Sequence, residues 1–325
     1  MVRIRAKASR NDQNIRDYKM TNILTVSIYD NGGAMQQLTN AINKYTEHNC
    51  RHLNFKQTYL DYETDIKATD YTKAELKELL SDREFFVFSE LIPDEIRGIG
   101  IEHKLNRQTT IVRCFGSHTR INIDSYRYWW TNSFTTFVSG GFDPTIHPYL
   151  GFCAYHIPNI YEFSEFPEVH QGNRIRICHA PTNPAIKSTR SVTEIMGRLE
   201  KEYGIEPVVI QGNSWKEALK IKSSCHITVD QFMLGTYASS AIESMYLQHE
   251  VVSRISKFVR SMHPDLPIVQ ASEESLHNVL EKMILNYKYE DTGIIEKSYA
   301  EREHGTEQNI MKWINLIEWV RDEFK

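Results

Sequence analysis

The segment 226–253 constrains the fold of this chain more than any other. It begins with alternating apolar residues, which is typical of a strand, and this strand ends at Asp230. A short loop around Gly235 follows, and small residues then begin a helix that carries Glu243 on its first turn. A second strand, 250–253, comes directly afterwards. A strand, a tight loop, a helix N-terminus and another strand form a geometry with which α/β proteins bind phosphate.

In this segment the backbone amides near Ser239 and Ser240 are expected to face an anion. The carboxylate of Glu243 is then placed to accept hydrogen bonds from a diol beside that anion. A plain crossover helix with a solvated glutamate fits the same residues equally well. The segment alone does not decide between the two interpretations.

A second segment, 173–189, favours the anion site. It predicts a strand, a loop broken by prolines, and then Lys187 at the start of a helix. A strand at 208–210 and a helix at 215–222 fit between this loop and Ser239, so both loops belong to the same carboxyl edge of one parallel sheet. A lysine, helix amides and a carboxylate can together hold the diphosphate and ribose of a nucleotide. Gly212 and Asn213 follow the strand 208–210 and are candidates to hold the base.

Three stretches in this half, HAPTNPAIKST, VVIQGNSWKEALKIKSSCHITVDQF and GTYASSAIESM, resemble a known family. They are similar to the nucleotide-binding half of retaining GT-B glycosyltransferases of the family-four type. The resemblance implies an α/β fold in which two Rossmann-like domains face each other across a cleft. It also implies transfer of a sugar from a nucleotide-sugar, expected to be a UDP-sugar, to a hydroxyl acceptor, with retention, without a bound metal and without another cofactor.

The resemblance assigns roles to individual residues of the second half. Glu243 matches the second glutamate of the family's E-x7-E motif and is expected to bind the ribose hydroxyls. The first glutamate falls at Gly235 and is therefore missing, so Gln231 or Asp230 is expected to contact the sugar instead. This departure leaves the choice between retention and inversion open. Lys187, Ser239 and Ser240 are expected to stabilise the leaving diphosphate, and Asn183 is a further donor-binding candidate.

The resemblance covers roughly residues 155–305, and it reaches the first half only through the loops NGGA and GSHTR. Gly32 and Gly33 follow the first predicted strand, where a donor or acceptor can approach the backbone closely. Directly before GSHTR, the position of the family's histidine is occupied by Phe115. His118 is therefore expected to take a role in the cleft, and Arg120 to meet a phosphate or the acceptor. An exposed loop histidine and a domain-bridging arginine are the alternatives.

We divide the chain into a basic leader (1–20), an acceptor-side domain (21–165), a nucleotide-sugar-binding domain (166–305) and a terminal helix (306–325) that packs back on the first domain. Within the first domain, a helix is expected at 93–105. The acidic stretch 58–71 is interpreted as an exposed connection and not as a metal site, because no third carboxylate or histidine completes the D-x-E of Asp61 and Glu63. The aromatic segment 126–130 predicts a core helix or a stacking platform.

Composition limits the function classes. The formal net charge of −4 gives no general electrostatic reason to bind nucleic acid or anionic lipid. The five cysteines are dispersed, which indicates reduced thiols and a cytoplasmic location. No apolar run approaches the roughly 18 residues that a membrane span needs.

Several functions remain open at this stage. The acceptor is either a glycan, a lipid-linked sugar or a small molecule, or else a hydroxymethylated pyrimidine of DNA, as in viral DNA-modifying glycosyltransferases. The basic leader and the aromatic segment favour DNA, whereas the acidic net charge opposes it. A non-catalytic GT-B-like binding protein and an epimerase or phosphatase-like enzyme are the other classes. The sequence does not determine the sugar, the acceptor or the oligomeric state.

Overall fold

The computed structural model describes residues 20–90, 92–114, 119, 121–122, 124, 136–139, 154–289 and 292–323. Within these ranges the chain forms two parallel sheets covered by helices, so the α/β class predicted from the sequence is confirmed. His118, Arg120 and the aromatic segment 126–130 lie outside the described residues, and so does the leader up to residue 19. The roles predicted for these residues stay predictions.

The first sheet joins seven parallel strands of the described chain in the order β3-β2-β1-β4-β5-β6-β7. Its strands are β1 (Asn22–Ser27), β2 (Asn49–Asn54), β3 (Ile66–Lys67), β4 (Phe85–Ser89), β5 (Thr110–Cys114), β6 (Thr136–Ser139) and β7 (Ala154–His156). Helices α1 (Ala34–Tyr45) and α2 (Lys73–Leu79) belong to this unit. The order is that of a Rossmann sheet extended by one strand.

Strand β4 shows why this sheet needs cover on both faces. All five of its residues are buried. Phe85 and Val87 point into the core cluster that contains α1, whereas Phe86 and Phe88 point into the cluster that contains Leu76 of α2. A continuous apolar run of this kind is typical of parallel strands, whose two faces are both packed against helices.

The second sheet joins five parallel strands of the described chain in the order β12-β11-β10-β8-β9. Its strands are β8 (Arg176–His179), β9 (Glu206–Val209), β10 (Ile227–Val229), β11 (Glu250–Ser253) and β12 (Ile268–Gln270). The helices of this unit are α3 (Thr189–Tyr203), α4 (Trp215–Lys222), α5 (Ser239–Tyr246), α6 (Lys257–Met262), α7 (Leu276–Leu285) and α8 (Ile294–His304).

The last helix, α9 (Thr306–Glu323), packs on the first unit. Its apolar stripe shares a core cluster with Ile23 of β1 and Met35 of α1, and consists of Ile310, Trp313, Ile314, Leu316, Ile317 and Val320. The chain therefore passes between the two units twice. The two passages are joined where the Tyr161 amide donates to the His304 carbonyl (2.8 Å) and the Thr306 amide donates to the Tyr161 carbonyl (3.1 Å).

The helix expected at 93–105 is wrong. The structure has two short 3-10 turns there, Asp94–Ile96 and Glu102–Lys104. Gly98 and Gly100 lie between them with φ angles of 82° and 87°. Glycine adopts this left-handed conformation readily, and it cannot continue a right-handed helix.

Two predictions about the chain, its reduced cysteines and the lack of a membrane-spanning segment, can be compared with the described residues. The described cysteines, Cys50, Cys114, Cys178 and Cys225, are free and buried. In the part of the chain that the structure describes, no helix combines the length and apolar composition that a bilayer span requires.

Candidate functional site

The candidate site lies where the strand order of the second sheet reverses. From β8 the chain goes outward to β9 on one side and then returns to β10 on the other side. The carboxyl ends of β8 and β10 are neighbours at this reversal, and ligands of open α/β sheets bind at such a point. Lys187 follows β8 and Asp230 follows β10, so the topology brings these two residues together.

Lys187 and Asp230 form a buried ion pair at this point. The ammonium group of Lys187 donates to Oδ1 of Asp230, and their side chains are only 8% and 1% exposed. The other carboxylate oxygen, Oδ2, accepts from the amide of Ala238 at 3.1 Å. Asp230 therefore holds both the lysine and the residue that precedes α5.

The N-terminus of α5 opens toward the same space. Its N-cap residue, Ala238, makes no side-chain capping hydrogen bond in the described structure. The first amides of an α-helix have no partner within the helix and carry the positive end of its dipole. Ser239 and Ser240 occupy these first positions, and both line the cavity. This arrangement suits an anion such as a phosphate.

Glu243 lies on the second turn of α5, one turn later than the sequence predicts, and is 5% exposed. Its Oε2 accepts from the ammonium group of Lys222 at 2.5 Å, and its Oε1 accepts from the indole N–H of Trp215 at 2.9 Å. Lys222 also donates to Oγ of Ser240 at 2.9 Å. The carboxylate of Glu243 is thus fixed at the wall of the cavity by two donors from α4.

Helix α4 positions both donors through its own local sequence. Ser214 and Glu217 form a capping box, so the helix begins at Trp215. Lys222 lies seven residues later, which is two helical turns, and therefore shares a face with Trp215. Leu219 on the same helix is buried, so a lysine continues a buried stripe. This spacing is the sequence feature that could have identified Lys222, which is not among the predicted site residues.

A cavity of about 420 Å³ lies between the two units. This volume falls within the roughly 300–1,000 Å³ range of small-molecule sites. Predicted site residues in its lining are Gly32, Lys187, Gly212, Asn213, Ser239, Ser240 and Glu243. Further lining residues are Tyr59, Leu60, Tyr62, Asn159, Ala180, Pro181, Thr182, Ile210, Trp215, Ala218, Lys222 and Ala238.

The glycine loop of the first unit reaches the start of α5. Gly32 has φ +73°, and a Cβ atom on it would lie 3.1 Å from Oγ of Ser239. Gly33 has φ +64°, and a Cβ atom there would lie 2.6 Å from the Tyr62 ring. Both positions require left-handed backbone and close approach, which only glycine meets without strain. The loop therefore allows the two units to meet at the cavity.

The stretch 58–62, which we expected to be an exposed connection, enters the cavity. The carbonyl of Leu60 accepts from the Trp215 amide at 2.8 Å, and the rings of Tyr62 and Trp215 are 5.5 Å apart. Burial, with a further contribution from Glu243, raises the pKa of Tyr62 well above its ordinary value. Asp61 and Glu63 point to solvent. Among the described residues, no group of three or more histidine, cysteine, aspartate or glutamate side chains is placed to hold a metal ion.

Five other predicted residues lie outside the described cavity lining, and one of them is Asp230, which pairs with Lys187. Gly33 packs against Tyr62 and Asn183 is exposed. The side-chain amide of Gln231 is buried and donates to the Thr236 carbonyl at 2.7 Å. Gly235, at φ +68°, accepts through its carbonyl from the Ser256 amide at 2.8 Å. Gln231 and Gly235 shape the loop before α5 from behind, instead of facing the cavity.

Two Rossmann-like domains that face each other across a cavity define the GT-B fold, which confirms the fold predicted from the sequence. Solved structures with this architecture are similar over nearly the whole chain. Sucrose-phosphate synthase from Thermosynechococcus elongatus has a TM-score of 0.62 at 10% identity, covering 92% of this chain and 99% of that one. AviGT4, a glycosyltransferase involved in avilamycin A biosynthesis, has a TM-score of 0.59 at 11% identity, covering 93% and 98%.

A second kind of similar structure is an epimerase. UDP-GlcNAc 2-epimerase from Neisseria meningitidis, bound to UDP-GlcNAc, has a TM-score of 0.56 at 10% identity, covering 92% of this chain and 99% of that one. No protein-family model and no curated protein matches the chain. At these identities the comparisons establish the fold. The family-four assignment and the retention of configuration stay predictions.

Proposed function

We propose that this protein is a glycosyltransferase that uses a nucleotide-sugar, specifically a UDP-sugar, and transfers the sugar to a hydroxyl acceptor. The observation that carries the proposal is the opening of the α5 N-terminus into the interdomain cavity, between Lys187 and Glu243. The similar structures include glycosyltransferases and proteins named for UDP-sugars, which supports this class of substrate.

In this proposal the diphosphate of the donor binds at the start of α5. The amides of Ser239 and Ser240 donate to phosphate oxygens, and Lys187 supplies a positive charge beside them. Lys187 is paired with Asp230 in the free protein, so the diphosphate shares or takes over this lysine. Charge grows on the diphosphate as the glycosidic bond breaks, and these fixed donors stabilise it most in the transition state.

Glu243 accepts from the two hydroxyl groups of the ribose in this arrangement. The base then lies against the walls formed by Ala180–Thr182 and by the backbone at Gly212 and Asn213. This assignment places the sugar on the side of Gly32, where the first domain meets the cavity. The acceptor consequently approaches from the first domain.

The reaction exchanges one bond at the anomeric carbon. The bond from this carbon to the diphosphate oxygen breaks, and the electron pair leaves with UDP. The acceptor oxygen forms the new bond, and its proton passes to the departing phosphate oxygen. Retention, which the sequence resemblance implies, requires the acceptor to attack from the face that the diphosphate leaves. The positive charge at the diphosphate comes from Lys187 and from the N-terminal end of the α5 dipole, so we propose that transfer persists in the presence of EDTA.

An epimerase is the second candidate, because structures of UDP-GlcNAc 2-epimerases have the same architecture at closely similar TM-scores. Incubation with a panel of UDP-sugars separates the two functions. Glycosyl transfer gives UDP and a glycosylated product only when an acceptor is present, whereas an epimerase converts the UDP-sugar without any acceptor. A protein that binds UDP but gives neither product is a non-catalytic binding protein, and the proposal is then wrong.

The acceptor class needs a separate experiment. We favour a glycan or small molecule, because the net charge of −4 opposes the binding of DNA. Transfer to hydroxymethylated duplex DNA that weakens steeply with salt, with none to oligosaccharides, would contradict this choice. Transfer to oligosaccharides or small alcohols that does not change between low and physiological salt would support it.

A further inference from the structure

Lys222 is a buried lysine, a residue type that is almost never fully buried unless it is paired. It is 1% exposed, and taking an ammonium group out of water carries a desolvation penalty that one ion pair does not always offset. Its contacts all lie at the start of α5: Oε2 of Glu243 at 2.5 Å, Oγ of Ser240 at 2.9 Å and the Ser240 carbonyl at 3.4 Å. The ammonium group is therefore directed at Ser240 and Glu243, two of the α5 residues that line the cavity.

Trp215 completes the support of the same carboxylate. Its indole N–H donates to Oε1 of Glu243, whereas Lys222 donates to Oε2. An ionised carboxylate accepts about four hydrogen bonds, two at each oxygen. One position on each oxygen is thus filled from α4, and one position on each remains. Two adjacent acceptor positions match the spacing of two vicinal hydroxyl groups.

Trp215 also ties this carboxylate to the first domain. Its backbone amide donates to the Leu60 carbonyl at 2.8 Å, and its ring lies 5.5 Å from the buried ring of Tyr62. The orientation of Glu243 consequently depends on a residue held by both domains. A lone glutamate on a helix turn would instead sample several rotamers.

From this juxtaposition we infer that Lys222 and Trp215 are positioning residues that fix the Glu243 carboxylate, and that they determine the preference for ribose over 2′-deoxyribose in the nucleotide. The inference rests on the proposed function, since it assumes that a nucleoside diphosphate occupies the cavity. It goes further by naming two residues that determine the selectivity for the sugar of the nucleotide by way of the Glu243 carboxylate.

The alternative role for Lys222 is to stabilise the fold without affecting selectivity. A buried ion pair broken at one end destabilises the fold wherever it lies. A purely structural lysine, when removed, would weaken the binding of UDP and of 2′-deoxy-UDP by the same factor. A positioning lysine would weaken UDP more than 2′-deoxy-UDP, because ribose donates two hydroxyl groups to the carboxylate and 2′-deoxyribose donates only one. The ratio of the two affinities therefore separates the two roles.

The test measures the dissociation constants of UDP and 2′-deoxy-UDP by calorimetry. Hydrogen bonds to charged groups predict that the wild-type protein prefers UDP about 10- to 150-fold. We expect Lys222→Met and Trp215→Phe to lower this ratio to below about threefold. Glu243→Gln is expected to lower it equally, and the double variant Lys222→Met/Glu243→Gln to lower it no further. Lys220→Met, on the exposed face of the same helix, is the matched control and is expected to keep the wild-type ratio.

The outcomes distinguish this inference from the proposed function. If the wild-type protein binds neither nucleotide, the proposed donor site is wrong and so is the inference about selectivity. If it prefers UDP and both variants keep that preference, the inference is overturned and the donor site stands. Equal affinity of the wild-type protein for both nucleotides also overturns the inference. Should Lys222→Met fail to fold, Trp215→Phe decides, since it removes one N–H donor and keeps an aromatic ring against Tyr62.

Discussion

The ion pair between Lys187 and Asp230 gives the sharpest prediction about the donor site. We consider Lys187→Met, which keeps an unbranched side chain of similar length and removes its charge. The Asp230 side chain is 1% exposed and would be left as an uncompensated buried carboxylate. Breaking a buried pair at one end costs about 3–5 kcal/mol, so the free energy of unfolding is expected to fall by that amount in urea denaturation.

A double variant separates this loss of stability from the loss of a phosphate ligand. Lys187→Met/Asp230→Asn replaces the charged pair by a neutral pair of similar shape, and the asparagine oxygen can still accept from the Ala238 amide. Replacing both partners is often close to neutral for stability, so most of the lost free energy should return. The affinity for UDP should not return, because the cation is still missing.

Calorimetric titration with UDP measures the second effect. A hydrogen bond to a charged group contributes about 1.5–3 kcal/mol, so both variants should bind UDP about 10- to 150-fold more weakly than the wild-type protein. Lys201→Met, an exposed lysine on α3, is the control and should change neither quantity. A double variant that binds UDP as tightly as the wild-type protein would refute the role of Lys187 at the diphosphate.

Two further predictions concern the domain junction. Gly33→Ala would bring a Cβ atom to 2.6 Å from the Tyr62 ring at a position with left-handed backbone. We therefore expect the free energy of unfolding to fall by about 1–3 kcal/mol, which calorimetry would show as a lower Tm. An unchanged Tm would contradict this packing. Burial lowers the pKa of His304 from 6.5 to about 4, so the unfolded chain takes up this proton first as the pH falls. The free energy of unfolding should therefore fall by up to about 3 kcal/mol as the pH is lowered from 6.5 toward 4. A His304→Gln variant that shows the same pH dependence in urea denaturation would disprove this.

The sequence predicts best where the signal is local. The strand, loop and helix around Ser239 were predicted correctly, because alternating apolar residues and a run of small residues fix this unit within about 25 positions. The helix expected at 93–105 was wrong, since Gly98 and Gly100 take left-handed φ angles that apolar spacing alone does not reveal. Local propensity and periodicity therefore predicted the α/β class of fold, and they predicted the strand, loop and helix on which the proposed anion site lies.

The contacts that complete the site are long-range and were missed for that reason. The bond from the Trp215 amide to the Leu60 carbonyl joins residues of different domains, and no sequence pattern pairs them. Tyr62 was assigned to an exposed connection because its neighbours are acidic, although its own side chain is buried. Lys222 was passed over as one of many lysines on a helix surface, and only its position on a buried stripe marks it.

A crystal structure of the protein with UDP bound tests the proposed donor site at the start of α5 most directly. We expect the diphosphate at the start of α5, with its oxygens about 2.7–3.2 Å from the amides of Ser239 and Ser240 and from the ammonium group of Lys187. We also expect both ribose hydroxyls to donate to Glu243. The proposed donor site would be contradicted if UDP bound elsewhere. It would also be contradicted if the cavity stayed empty at millimolar UDP while the crystals remained intact.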